Sequence, residues 1–276
     1  MPTFVEKLLD ASERNNSLLC VGLDPDPAQM PIKDIAAFNR AIVEATADIV
    51  CAYKPNLGFY EGLGMEGLEA LRKTLETIPK SIPVIGDAKR GDISPTADAY
   101  AKAMFDVWGF DAVTVSPYLG RDSLEPFLRY ADRGVLVLCR TSNPGARDLQ
   151  DLLVTSPYDR VTMPLYEAVA MKAAAWNLHR NVGLVVGATY PDELKRVREL
   201  CPTMPILIPG VGAQGGSLEQ AVRNGVDAQG RLAIINASRG VIYASRDPRS
   251  FAGAAREQAL KLRDRMNLER QQLRVG

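Results

Sequence analysis

The feature that most constrains the fold is a regular alternation of short apolar runs with longer amphipathic stretches. Eight such runs occur along the 276 residues, and several, such as VLVLC and ILIP, are continuously apolar. Continuous apolar strands are typical of a parallel sheet that is covered on both faces. We predict strands at 18–23, 49–54, 83–89, 112–116, 134–140, 182–188, 206–209 and 232–237, each followed by one helix.

Eight strand-helix units in a chain of this length favour a closed (β/α)8 TIM barrel, of class α/β, as a single domain over residues 1–276. A doubly wound open sheet is the alternative, but its GxGxxG fingerprint is missing after the first strand. The segment 141–158 is the longest connection without predicted structure, so we interpret it as a functional loop or a surface insertion.

Charge and rare residues limit the function classes. Lysine plus arginine number 33, as do aspartate plus glutamate, so no net field draws the chain to nucleic acid or to an anionic membrane. No stretch reaches the eighteen apolar residues of a membrane span. The only histidine, His179, excludes a multi-histidine metal site and is predicted to be solvated. We expect the widely spaced Cys20, Cys51, Cys139 and Cys201 to be buried reduced thiols of a cytoplasmic protein.

Charged residues stand at the carboxyl ends of the first three predicted strands. Asp24 ends the first strand and Lys54 the second, and the third reads PVIGDAKRGDI. Because strand side chains alternate with period two, Asp87 and Lys89 should project to the same side; Asp92 follows in the loop. Such a cluster is either a structural group of salt bridges that fills the barrel mouth or a functional site. Since buried ion clusters contribute little to stability, we favour the functional site.

Glycine-rich turns follow the last two predicted strands, in PGVGAQGGS and NASRG. Turns of this kind expose backbone N–H groups at a helix start, and Arg239 adds a forked cationic donor. The loops after strands seven and eight are the usual phosphate cradle of a barrel. We therefore predict phosphate binding there, against the alternative that the glycines only form tight turns.

Together these motifs resemble the orotidine 5'-phosphate decarboxylase family, in order over essentially the whole chain. The core motif of that family, Asp-x-Lys-x-x-Asp, stands within DAKRGDI and is preceded by the separate Lys54. The segments VGLDPD, YKPNLGFYE, SPYLG, TSNPGA, PGVGAQGG and SRG look like its longer bacterial branch, called type 2. The resemblance implies conversion of orotidine 5'-phosphate to UMP and CO2 in pyrimidine biosynthesis, with neither a metal nor an organic cofactor.

The resemblance also implies roles for the charged residues. Lys89 would be the general acid that protonates C6 of the pyrimidine after CO2 leaves, and Asp87 would hold the lysines beside the substrate carboxylate. Lys54 would link that array to the ribose, and Asp24 would accept ribose hydroxyls. Lys89 should stay protonated at neutral pH because carboxylates flank it.

The family's dimer implies that some residues act across subunits. Asp92, together with Ile93 and Thr96, would enter the neighbouring subunit's site, so the expected assembly is a homodimer.

The remaining substrate contacts fall in loops. Ser142 matches the contact to the pyrimidine amide, and Pro209, Gln214 and Arg239 match positions that close over base and phosphate. Ser238 and Arg239 stand where the shorter branch has a Gly-Arg phosphate pair, and the loop through 148–158 is lengthened here.

Three other functions remain open at this point. The Asp-x-Lys-x-x-Asp motif also fits metal-dependent sugar-phosphate synthases and decarboxylases, although Lys54 argues against a cation at the second strand. A Schiff-base aldolase is disfavoured because the sixth strand, VGLVVGAT, offers no lysine. A phosphate-ligand sensor that has lost catalysis is the third, but the charge array is intact.

Overall fold

Parallel strands run side by side around the molecule, each connected to the next along the barrel by a helix on the outside. The computed structural model describes residues 2–156, 160–212 and 215–275. In chain order the barrel strands are β1 (Leu19–Leu23), β2 (Ala52–Pro55), β3 (Ile85–Arg90), β4 (Ala112–Val115), β5 (Gly134–Arg140), β8 (Val182–Val186), β9 (Ile206–Ile208) and β10 (Ala233–Ala237). All seven ladders between them are parallel, in the order β2-β1-β10-β9-β8-β5-β4-β3.

The two ends of this sheet meet between β2 and β3. The Tyr53 amide donates to the Pro83 carbonyl at 3.0 Å, and bridges join Tyr53 to Val84 and Asn56 to Asp87. The strands therefore close into a barrel, which confirms the predicted TIM-barrel class and excludes the open sheet.

Helices surround the barrel, and most of them cover the outer face of its strands. They are α1 (Phe4–Arg14), α2 (Ile35–Thr46), α3 (Leu57–Glu61), α4 (Gly64–Thr77), α5 (Thr96–Lys102) with a π-helical turn at Ala103–Val107, α6 (Glu125–Leu128), α7 (Leu165–Trp176), α8 (Pro191–Leu200), α9 (Leu218–Gly225), α10 (Arg239–Ile242) and α11 (Phe251–Val275).

The connection after β5 has more structure than we predicted. Within 141–158 the chain forms a 3-10 helix at Pro144–Asp148 and the strand β6 (Leu153–Thr155), which pairs antiparallel with β7 (Thr162–Pro164). No structure was predicted here because these pieces are each only three to five residues long, too short to show periodicity. The interpretation as a functional loop or a surface insertion stays a prediction.

A layer of apolar side chains fills the lower part of the barrel. Every barrel strand contributes one member, and α1 adds Phe4 and Leu8 from below. A Cβ on Gly134 would lie 2.4 Å from the Phe4 ring, so the helix is seated against the barrel floor. With this end plugged, a ligand can enter only from the carboxyl end of the strands. The strand members are Cys20, Ala52, Ile85, Ala112, Leu136, Val185, Leu207 and Ile234.

The rare residues lie where the sequence predicted them. All four cysteines are buried free thiols, and burial raises the pKa of Cys51 to about 12 and that of Cys201 to about 11. His179 is exposed. Across the described ranges, none of the helices has the length and apolar character needed to cross a membrane.

Candidate active site

Above the apolar layer, toward the carboxyl ends of the strands, lies a cavity of about 640 Å³. Its wall includes residues that come two positions after members of the layer. Because side chains alternate with period two, the residues above Ala52, Ile85 and Ile234 also point inward. They are Lys54, Asp87 and Asn236, and all three line the cavity. Barrel enzymes keep their active sites at this carboxyl end, and the volume suits a small-molecule ligand.

A chain of three charged groups lies on the cavity wall. Lys54 Nζ donates to Asp87 Oδ2 at 3.0 Å, and Lys89 Nζ donates to Asp87 Oδ1 at 2.6 Å. The side chains of Lys54 and Asp87 are 4% and 11% exposed, whereas that of Lys89 is 49% exposed. One buried carboxylate thus holds two ammonium groups, one deep in the barrel and one facing the mouth.

Burial and charge act in opposite directions on these groups. Burial by itself would raise the pKa of Asp87, but the ammonium groups of Lys54 and Lys89 hold this pKa well below its usual value. Burial would lower the pKa of Lys54, but the carboxylates of Asp87 and Asp24 raise it above its usual value. Both groups are therefore charged at neutral pH, as the predicted use of the cluster requires.

The strand β3 has a bulge at the position of Lys89. The register against β4 shifts between Gly86 and Arg90, and Lys89 has φ +49°, a left-handed conformation that is uncommon for a lysine. Asp87 and Lys89 do project to the same side, as predicted, although β3 is not a regular strand between Gly86 and Arg90. Over this stretch β3 has two residues more than β4, and the Lys89 side chain lies against the Asp87 carboxylate.

Thr114 of β4, which sequence reasoning missed, supports this bulge. Its Oγ1 accepts from the backbone N–H groups of Ala88 and Lys89, both at 3.0 Å, and donates to Asp87 Oδ1 at 2.9 Å. Thr114 is fully buried. The available signal was a hydroxyl in the otherwise apolar strand AVTV, beside the charged strand.

Asp24 stands at the carboxyl end of β1 with its carboxylate on the cavity. The carboxylate accepts the backbone N–H of Asn56 at 3.3 Å, and the Asp24 carbonyl accepts the hydroxyl of Tyr243 at 2.8 Å. Asn56 also lines the cavity and caps α3 by accepting from Gly58. A second carboxylate is thus held on the side of the cavity near β1 and β2.

Ser238, Arg239 and Pro209 line the part of the cavity near β9 and β10. Ser238 precedes α10, and a Cβ on Gly22 would lie 1.8 Å from its Oγ, so β1 must carry a glycine there. Arg239 is exposed and has no salt-bridge partner in the described ranges. The predicted Gln214 lies outside the described residues.

Asp92, Ile93 and Thr96 are predicted site residues that do not line the cavity of their own chain. Asp92 is half-buried and accepts the Ile93 amide at 2.8 Å. Ile93 is 62% exposed, and Tyr118, which follows the neighbouring strand β4, is 80% exposed.

Ser142 lines the cavity, as predicted, but so do polar neighbours that the sequence did not single out: Thr141, Asn143 and Gln150. Asn236 was also missed; its Nδ2 donates to Ser238 Oγ at 3.3 Å. In the described parts of the chain, no cluster of three His, Cys, Asp or Glu side chains is arranged to hold a metal ion.

Comparison with known proteins gives one consistent family. The model of the "Orotidine 5'-phosphate decarboxylase / HUMPS family" matches residues 17–255. Orotidine 5'-phosphate decarboxylase of Dehalococcoides mccartyi is 54% identical over 265 residues, covering 96% of this chain and 97% of the relative. The Thermomicrobium roseum enzyme of the same name is 52% identical over 269 residues, with 95% and 94% covered.

A solved structure agrees in both fold and sequence. The Leishmania donovani OMP decarboxylase has a TM-score of 0.84 and 44% identity, and the match covers 97% of this chain and 98% of that one. These matches, together with the array of charged side chains at the carboxyl end of the barrel, show that the polypeptide belongs to the orotidine 5'-phosphate decarboxylase / HUMPS family.

Proposed function

We propose that the protein converts orotidine 5'-phosphate to UMP and CO2 in pyrimidine biosynthesis, and that its own side chains do this without a metal or an organic cofactor. The relatives that cover nearly the full chain carry the name of this enzyme. The observation that carries the mechanism is the ion-paired array Lys54–Asp87–Lys89 at the carboxyl end of the barrel. It supplies fixed charges where the reaction develops a carbanion.

The reaction breaks the bond between C6 and the carboxylate, and the electron pair stays on C6 as CO2 leaves. No neighbouring carbonyl delocalises that pair, so the site must stabilise it electrostatically. In this proposal the Lys89 ammonium stabilises the pair and then gives C6 a proton; the amine regains its proton from solvent. Asp87 fixes the position of Lys89 and presents a like charge to the substrate carboxylate, which favours its departure.

We assign the sugar and phosphate contacts to the same cavity. By the family resemblance, Asp24 accepts ribose hydroxyls and Lys54 donates to the ribose, and both residues line the cavity together with Asn56. Arg239 and the backbone at Ser238 bind the phosphate at the other end, with Pro209 closing over the base. The role of Gln214, which lies outside the described residues, rests on the family resemblance alone. Ser142 contacts the pyrimidine amide. Binding energy from the phosphate then contributes to the chemical step by holding the base against Lys89.

The active unit is a homodimer in which Asp92 reaches the partner's cavity. The segment 92–96 supports this assignment, since it does not line its own cavity and exposes Ile93, while Tyr118 after β4 is exposed as well. A half-buried carboxylate flanked by exposed apolar side chains suits an interface with a second copy of the chain. Thr96, which is exposed at the start of α5, would follow Asp92 into that site.

The same proposal places the enzyme in the cytoplasm. Its support is the set of four buried free thiols, since disulfides form mainly in oxidising compartments.

Decarboxylation is tested by the loss of the substrate's ultraviolet absorbance after the purified protein has been treated with a chelator. The chelated wild type should turn over, and Lys89→Ala should lower kcat by at least roughly a thousandfold. Lys261→Ala removes an exposed lysine of α11 and should change nothing. Activity that disappears with the chelator and returns with a divalent cation would favour the metal-dependent alternative.

A further inference from the structure

A fully buried arginine ties the connection after β5 to the barrel. Arg140, the last residue of β5, is 0% exposed, and its guanidinium lies 3.7 Å from the centre of the Tyr190 ring. Its Nη2 lies 3.1 Å from the Asp151 carboxylate, and its Nη1 donates to Gln150 Oε1 at 3.3 Å. Since a guanidinium has only donors, the Gln150 atom that faces it must be the oxygen.

A second donor fixes the orientation of the same amide. The Thr141 backbone N–H donates to Gln150 Oε1 at 2.8 Å, so Gln150 Nε2 points away and donates to Thr141 Oγ1 at 2.9 Å. The single hydroxyl hydrogen of Thr141 goes to its nearest acceptor, Asn143 Oδ1, at 2.7 Å. The side-chain hydrogen bonds of this relay run from Arg140 through Gln150 and Thr141 to Asn143, and the Thr141 backbone N–H adds a second donor to Gln150 Oε1.

The direction of the relay decides what this wall of the cavity offers a ligand. Thr141, Asn143 and Gln150 all line the cavity, and their acceptor oxygens already receive hydrogen bonds. The second N–H of Gln150 Nε2 has no partner in the described part of the chain. In this wall the acceptor oxygens already receive hydrogen bonds, whereas one N–H is available to donate. Such a wall favours a carbonyl on the ligand over an amino group.

We propose that Gln150 is a specificity-determining residue that donates to a ring carbonyl of the substrate's base, and that Arg140 is the positioning residue that fixes its amide. This inference rests on the proposed function and extends it to base recognition. The pair would discriminate a uracil-type base from one with an exocyclic amino group. A free glutamine could rotate its amide to suit either base, and the buried guanidinium prevents that rotation.

Gln150→Glu tests the inference while keeping the anchor. A carboxylate still accepts from Arg140 and from the Thr141 amide, so we expect the variant to fold. It cannot donate to Thr141, whose hydroxyl then turns to the carboxylate and releases Asn143 Oδ1. The wall changes from donor to acceptor. The ratio of the inhibition constants of CMP and UMP should fall by about tenfold or more.

The ratio separates recognition from general effects, because an added negative charge repels the phosphate of both nucleotides equally. Gln271→Glu adds the same charge on the exposed surface of α11 and should leave the ratio at its wild-type value. Gln150→Leu should weaken the binding of UMP without strengthening the binding of CMP. An unchanged ratio in Gln150→Glu, in a protein that still decarboxylates orotidine 5'-phosphate, overturns this inference alone. A wild type that neither turns over this substrate nor binds UMP overturns the proposed function instead.

Discussion

At the scale of single residues, the site depends on one carboxylate that stays ionised because two ammonium groups surround it. Among the described residues, Asp87 accepts hydrogen bonds from the Nζ atoms of both Lys54 and Lys89. A buried charge of this kind is tolerated only while its partners remain, since removing one partner leaves the other uncompensated. The same arrangement keeps Asp87 and Lys54 charged near neutral pH.

Asp87→Asn should therefore destabilise the fold by an amount that depends on pH in a defined way. The folded-state pKa of Asp87 lies below its unfolded value, so its stabilisation is complete above the unfolded value and is lost as the pH falls through the folded one. We expect a gap in unfolding free energy of about 3 kcal/mol between wild type and variant, constant from about pH 5 to 9 and shrinking below about pH 4. Urea unfolding across this range measures it. A gap that already closes between pH 7 and 5 would mean that Asp87 is not held by the lysines.

The sequence predicted the charged residues because each breaks an apolar strand pattern. It could not predict their geometry, since the approach of Lys89 to Asp87 depends on a bulge that no local pattern marks. Gln150 was missed for a related reason: an isolated glutamine in a loop carries no signal until its partner Arg140 is seen beneath it.

At the scale of elements, β4 shapes the active end of β3 through one hydroxyl. Thr114 Oγ1 takes both N–H groups at the bulge, which would otherwise lack a partner in the ladder. Eight strands were predictable from their apolar runs, and all eight form. The hairpin β6–β7 was not, because its strands have only three residues each and are largely exposed.

Thr114→Val tests this support. Valine keeps the shape but leaves the Ala88 and Lys89 amides without their acceptor and removes the donor to Asp87. We expect Lys89 to lose its fixed position, so that kcat falls roughly 10- to 100-fold while KM changes little. Thr114→Ser keeps the hydroxyl and should restore kcat. Equal losses in the serine and valine variants would indicate that packing, not the hydroxyl, is what matters.

At the scale of the whole molecule, the barrel builds most of a site and leaves one charged segment outside it. Asp92 belongs to the same short motif as Asp87 and Lys89, yet it does not line their cavity. The bend after β3 carries 92–96 outward, where Ile93 is exposed beside the segment that follows β4. A site completed by a second copy accounts for both facts.

Mixing of inactive subunits tests whether Asp92 acts across the dimer. Asp92→Ala and Lys89→Ala should each be nearly inactive alone. A mixed dimer has one cavity with Lys89 from one chain and Asp92 from the other, so an equal mixture of exchanged subunits should recover about a quarter of wild-type activity. Mixing Lys89→Ala with Asp87→Asn is the matched control and should recover nothing, since both residues belong to the same chain's cavity. A mixture of the first pair that stays inactive after proven subunit exchange would place Asp92 in its own chain's site or outside catalysis altogether.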